Sequence, residues 1–194
     1  ERQLFRLFDQ DIPDLDRLLL SIIVTTGMRL DEAALLTGKQ LKRDRNSIRY
    51  FDLSLTAIVK NDRFASRNVA IPDCLILPEL NDGIIFDFPR NADGKASSKA
   101  SSVLNENYFH PIRTGKDDDR KVVHSLRHNL SGFLLNLSDP APSAEQLDWI
   151  TGHGMQGGIT ESERQKTYSQ DPDVKVKYDI VNRIQHPWLS AKTC

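Results

Sequence analysis

The sequence predicts a mainly helical domain with one small three-stranded antiparallel sheet, and three observations carry that expectation. Leu15, Leu18, Leu19, Ile22 and Ile23 recur at i, i+3, i+4, i+7 and i+8, the period of a half-buried helix. Leu126, Leu130, Phe133, Leu134 and Leu137 form a second stripe of the same kind. Between them, residues 47–51, 55–59 and 67–71 are short and rich in β-branched and aromatic side chains, as strands are.

Each element has its own justification. Pro13 and Asp14 open the first helix and Gly27 stops it, which leaves Arg29 at a helix-to-helix corner. A short helix, residues 31–36, ends before Gly38, and the three strands follow. Pro72 begins a return to helix, while residues 92–102, rich in Ser, Ala, Gly and Lys, read as a flexible loop. The charged run from Lys116 to Lys121 connects to the helix that bears the second stripe. Ser143 has the place of an N-cap, with Gln146 completing a capping box, for a helix through Trp149 and Ile150 that ends at Gly152, beside His153. Gly154, Gly157 and Gly158 then form a mobile turn, a polar segment carries Tyr168, and a last helix over residues 173–184 puts Val174, Tyr178 and Val181 on one side. There is no internal repeat.

Composition sets the bounds. A chain of 194 residues supports one core, so residues 1–194 are read as a single domain. No apolar run approaches the roughly 20 residues of a membrane span, and Glu1-Arg2-Gln3-Leu4 lacks the pattern of a signal peptide, so a cytoplasmic location is expected. The absence of an initial methionine points to the carboxy-terminal part of a longer protein. Cys74 and Cys194 are too few and too far apart for a metal motif or a disulfide framework, and are expected as free thiols. A formal charge of −1 does not favour nucleic-acid binding unless positive charge is segregated. Lys39, Lys42, Arg43, Arg45 and Arg49 form one such cluster, and Arg113, Lys116, Arg120, Lys121 and Arg127 a looser one, although solvated loops explain clusters of this kind equally well.

The most informative stretch is His124-Ser125-Leu126-Arg127-His128. At about 100° per residue, His124, Arg127, His128 and Ser131 fall opposite the apolar stripe, and are expected to point outward together. Arginine keeps its charge and offers a planar fork to two phosphate oxygens, whereas histidine exchanges a proton near neutral pH. That pairing suits phosphoryl chemistry, although an isolated string of this type is more often a solvated helix face.

Three further segments change that balance. Thr26-Gly27-Met28-Arg29-Leu30-Asp31-Glu32 precedes the histidine–arginine helix, Ile150-Thr151-Gly152-His153 follows it, and Lys166-Thr167-Tyr168 comes last. In that order, over nearly the whole chain, they resemble the catalytic domain of the tyrosine recombinases, the phage-integrase family. The resemblance implies that family's fold, an amino-terminal DNA-binding domain outside this chain, and site-specific recombination of double-stranded DNA at attachment sites. The enzyme would act as a homo-oligomer, a tetramer in synapsis, for integration or excision of a prophage or other mobile element, without metal or ATP.

The chemistry implied is strand cleavage by a tyrosine hydroxyl, which conserves the phosphodiester energy in a covalent 3′-phosphotyrosyl intermediate. Tyr168 is the candidate nucleophile, standing further from His153 than the family pattern has it; Tyr178, on an apolar stripe, is more simply a core residue. Arg29 and Arg127 correspond to the guanidiniums that stabilise charge on the non-bridging oxygens. Lys60, between two predicted strands, matches the general acid for the leaving 5′ oxygen, with Arg63 a nearby rival. His124 corresponds to the general acid/base near the attacking oxygen and His153 to a hydrogen-bond donor to the phosphate, with His128 a supporting residue of the site. Glu32 orients one of the cations or His124, or else is a first-turn carboxylate favoured by the helix dipole. Lys39, Lys42, Arg43, Arg63 and Lys121 are the expected DNA contacts. A zinc hydrolase is the first rival, because His124 and His128 stand at i, i+4, but residue 125 is Ser where that motif needs Glu, and Arg127 would repel a cation. A type IB topoisomerase and a DNA-binding module without catalysis are the remaining rivals.

Overall fold

The computed structural model describes residues 1–56, 66–115, 121–152 and 173–192. The chain opens with α1 (Arg2–Phe8), whose Leu4, Leu7 and Phe8 are buried. Helix α2 (Asp14–Thr26) follows, with Pro13 at its N-cap and Gly27 at φ 67° as a left-handed C-cap whose N–H donates to the Ile23 carbonyl at 3.0 Å. From Leu18 to Thr26 every residue of α2 is buried, so the helix runs through the core and the predicted stripe widens to include Leu20 and Val24. Ser21, Thr25 and Thr26 are tolerated there because each hydroxyl donates to the carbonyl four residues back, at 2.6–2.7 Å. Leu15, counted in the stripe, is 55% exposed.

Helix α3 (Leu30–Ala34) turns away from α2, and the sheet follows: β1 (Leu41–Arg43), β2 (Arg49–Asp52) and β3 (Asn68–Ala70), antiparallel in the order β1-β2-β3. Tyr50 pairs with Lys42 and Ala70, and Phe51 with Leu41 and Val69. Among the described residues the strand count is as expected, but one member is exchanged for another. Leu41–Arg43 is the first strand, and its exposed Lys42 and Arg43 are charges that protect a sheet edge, which is why the segment reads as a basic cluster in sequence. The expected strand over residues 55–59 is not one where it is described: Asp52 accepts from the Ser54 N–H at 3.0 Å and winds Leu53–Leu55 into a 3₁₀ turn.

Residues 92–102, expected as a flexible loop, contain most of α4 (Ser97–Leu104), which continues into a π-helical turn, Asn105–Phe109. Its start is fixed from outside, since Asp31 of α3 accepts from the Ser97 N–H at 2.7 Å, and its small Ala96 and Ala100 are buried against Ala34 and Leu35. The return to helix expected at Pro72 does not occur; the segment before α4 holds turns and bends.

Helix α5 (His124–Leu135) packs along α2, burying Leu126, Leu130 and Leu134, with Phe133 and Leu137 half-buried. Helix α6 (Ala144–Thr151) starts at the expected capping box, with Gln146 N–H to Ser143 Oγ at 3.2 Å and Ser143 N–H to Gln146 Oε1 at 2.8 Å. It ends at Gly152 in the left-handed conformation, φ 65°. Helix α7 (Val174–Val181) is shorter than expected and packs on β3. A 3₁₀ turn, Pro187–Lys192, seats Trp188 in the main core between Phe133 and Phe5. Among the described residues no helix is long and apolar enough to cross a membrane.

Candidate active site

The α2–α3 corner creates the site. Gly27 ends α2, and two residues later Arg29 caps α3 in extended conformation, so its side chain leaves the corner beside the first turn of α3. Glu32, in that first turn, reaches back to accept from the Arg29 N–H at 2.7 Å. The same carboxylate, only 6% exposed, receives both terminal nitrogens of Arg67, at 3.0 and 3.1 Å, and stands 3.5 Å from Arg29 Nη1. Burial alone would raise the Glu32 pKa. The Arg67 charge and hydrogen bonds, aided by the Arg29 N–H and guanidinium, outweigh burial and hold it below the ordinary carboxylate value.

The end of α6 closes the other side. Arg29 Nη2 donates to the Gly152 carbonyl at 2.6 Å. Gly152 also roofs Arg67: a Cβ there would lie 2.4 Å from the guanidinium carbon. Arg127, on the first turn of α5, is buried and donates through Nη1 to the Gly27 carbonyl. Burial, with the charges of Arg67 and Arg29 against the counter-charge of Glu32, pushes its pKa down to about 9, which still leaves it cationic at neutral pH. His124, the first residue of α5, is exposed and meets the His128 ring edge-on, centroids 4.8 Å apart. Partial burial first, then His128 and Arg127, lower its pKa, so the imidazole is neutral and can accept a proton at pH 7.

The structure therefore brings Arg29, Glu32 and Arg127 together, with His124 at the edge of the group. One expectation is corrected: Arg127 does not point outward with His124, His128 and Ser131 but turns inward, because a carbonyl and a carboxylate in the interior give its charge partners that an apolar stripe cannot. Lys39, Lys42 and Arg43 are exposed on the turn before β1 and on β1 itself, and Lys121 is half-buried ahead of α5. Lys60, Arg63, His153 and Tyr168 lie outside the described residues. Tyr178 is half-buried with its hydroxyl on Asp73, at 2.7 and 2.8 Å to the two oxygens, and that hydrogen bond raises its pKa, which opposes phenolate formation.

Arg67 is the participant that sequence reasoning missed. The signal was there: with the alternation of a strand, Arg67 shares a face with Val69 and Ile71, and all three are buried. A charge in the buried phase of a strand requires a buried partner.

No protein-family profile and no curated protein sequence matches this chain. Among solved structures it is similar to XerH site-specific recombinase bound to difH substrate in a pre-cleavage complex, with 18% identity and a TM-score of 0.47. The similarity covers 87% of this chain and 51% of that one, so the chain spans about half the length of that structure.

Proposed function

We propose that this chain is the catalytic domain of a tyrosine site-specific recombinase, an integrase of a prophage or other mobile element. One observation carries the reading: Arg29, Arg127 and the Gly152 carbonyl come from three segments whose order in the chain matches that family, and direct hydrogen bonds join the segments. Among the described residues, the guanidiniums of Arg29 and Arg67 meet on one carboxylate whose charge also acts on Arg127, an arrangement that an incoming phosphodiester would stabilise and be stabilised by.

In the proposed reaction, Arg29 and Arg127 bind the non-bridging oxygens of the scissile phosphate and gain strength as charge builds there. The Tyr168 hydroxyl oxygen attacks phosphorus while its proton passes to neutral His124. The bond to the 5′ oxygen breaks, its electron pair stays on that oxygen, and Lys60 protonates it. The products are a 3′-phosphotyrosyl linkage and a free 5′ hydroxyl, and attack by a partner strand's 5′ hydroxyl runs the sequence backwards. Double-stranded DNA and further copies of the protein are the partners this requires.

The test is covalent trapping by the intact protein on nicked suicide duplexes bearing the element's junction sequences. Wild type and Tyr178→Phe are expected to form the adduct, whereas Tyr168→Phe binds DNA without forming it. An adduct in Tyr168→Phe that is missing in Tyr178→Phe would move the nucleophile, and relaxation of supercoils without synapsis of two sites would move the protein to the topoisomerases.

A further inference from the structure

Arg29 and Arg67 approach the same carboxylate, but they are not equivalent. The Arg67 side chain is wholly buried, lies under Gly152 and spans both Glu32 oxygens at ordinary charge-assisted distances. Arg29 keeps 26% of its side chain exposed; its guanidinium meets Glu32 at 3.5 Å and donates to the Gly152 carbonyl at 2.6 Å. A guanidinium whose two terminal nitrogens are both committed to one carboxylate, under a backbone roof, does not turn them to a substrate. One that is partly exposed can.

We infer that Arg67 is a positioning residue: by occupying both oxygens of Glu32 it prevents that carboxylate from capturing Arg29, and so keeps the Arg29 guanidinium on the Gly152 carbonyl and available to a phosphate oxygen. The claim rests on the phosphodiester reading above for what Arg29 is available to. Its physical basis is competition for one anion. Glu32 lies one turn from Arg29 on α3, close enough for a bidentate pair, and a buried carboxylate takes the nearest cation when its stronger partner is removed. Such a pair would neutralise Arg29 and turn it from the site. Gly152 completes the device, because its carbonyl holds Arg29 while its missing side chain leaves room for Arg67.

The experiment uses the intact protein with inorganic phosphate as probe, following the Arg29 guanidinium signal by ¹⁵N NMR, assigned by its loss in Arg29→Lys. In Arg67→Met the Arg29 signal is expected to shift and its exchange with solvent to slow, and phosphate affinity to fall about tenfold or more. Glu32→Gln and the double variant Arg67→Met/Glu32→Gln are expected to agree with each other within about twofold, since Arg67 acts through the charge of Glu32. An unchanged Arg29 signal in Arg67→Met, with only the melting temperature lowered, would overturn the inference. So would a further loss of about tenfold when Arg67→Met is added to Glu32→Gln, a comparison that stands even where Arg67→Met alone fails to fold. A wild type whose Arg29 signal ignores phosphate would count against the phosphodiester reading instead, and the Arg29 signal in Arg67→Met would still decide the positioning role.

Discussion

His186 links acidity to stability in this fold. Its side chain is 5% exposed, neither ring nitrogen has a hydrogen-bond partner among the described residues, and it is packed edge-on to Trp188 at 5.3 Å and Phe133 at 6.3 Å. Burial pushes its pKa from 6.5 down to about 4. Above pH 6.5 the imidazole is neutral both folded and unfolded, and the burial carries no penalty from protonation. As pH falls below that value, the unfolded chain takes up a proton that the folded one refuses until about pH 4, so stability is lost across this window. At about 1.4 kcal/mol for each tenfold change in proton affinity, the full loss is on the order of 3 kcal/mol, most of it present by about pH 4.5. Urea unfolding of wild type and His186→Phe near pH 7.5 and pH 4.5 isolates the effect, because the phenyl ring keeps the aromatic packing and cannot titrate. Wild type should lose roughly 2–3 kcal/mol more than the variant over that interval. Parallel losses in the two proteins would refute the reasoning, and would mean that the folded state admits water to the imidazole.

Two further predictions concern the site. Gly152→Ala places a methyl group 2.4 Å from the Arg67 guanidinium carbon at a φ of 65°, and should cost on the order of 3 kcal/mol of stability in urea unfolding; a loss below about 1 kcal/mol would show that Arg67 can slide aside without leaving Glu32. Lys60→Ala should slow cleavage of normal DNA but recover towards wild type on a 5′-bridging phosphorothiolate, whose thiolate departs without a proton, while Arg127→Ala stays slow on both; recovery in Arg63→Ala in place of Lys60→Ala would transfer the general-acid role to Arg63.

What the sequence determined by itself is what depends on neighbours in the chain. The Gly27 stop, the Ser143–Gln146 capping box, the Gly152 cap and the apolar faces of α2 and α5 all rest on contacts within a few residues, so local pattern was sufficient. The tertiary structure decided whatever depends on a distant partner. Residues 97–104 are helical in part because Asp31 caps them and Ala34 receives their small side chains, and neither can be read from a Ser- and Ala-rich string. Arg127 turns inward and Arg67 is buried because Gly27, Glu32 and Gly152 provide acceptors and space from other elements. A charged side chain goes where its counter-charge is. The position of that counter-charge is a property of the folded chain.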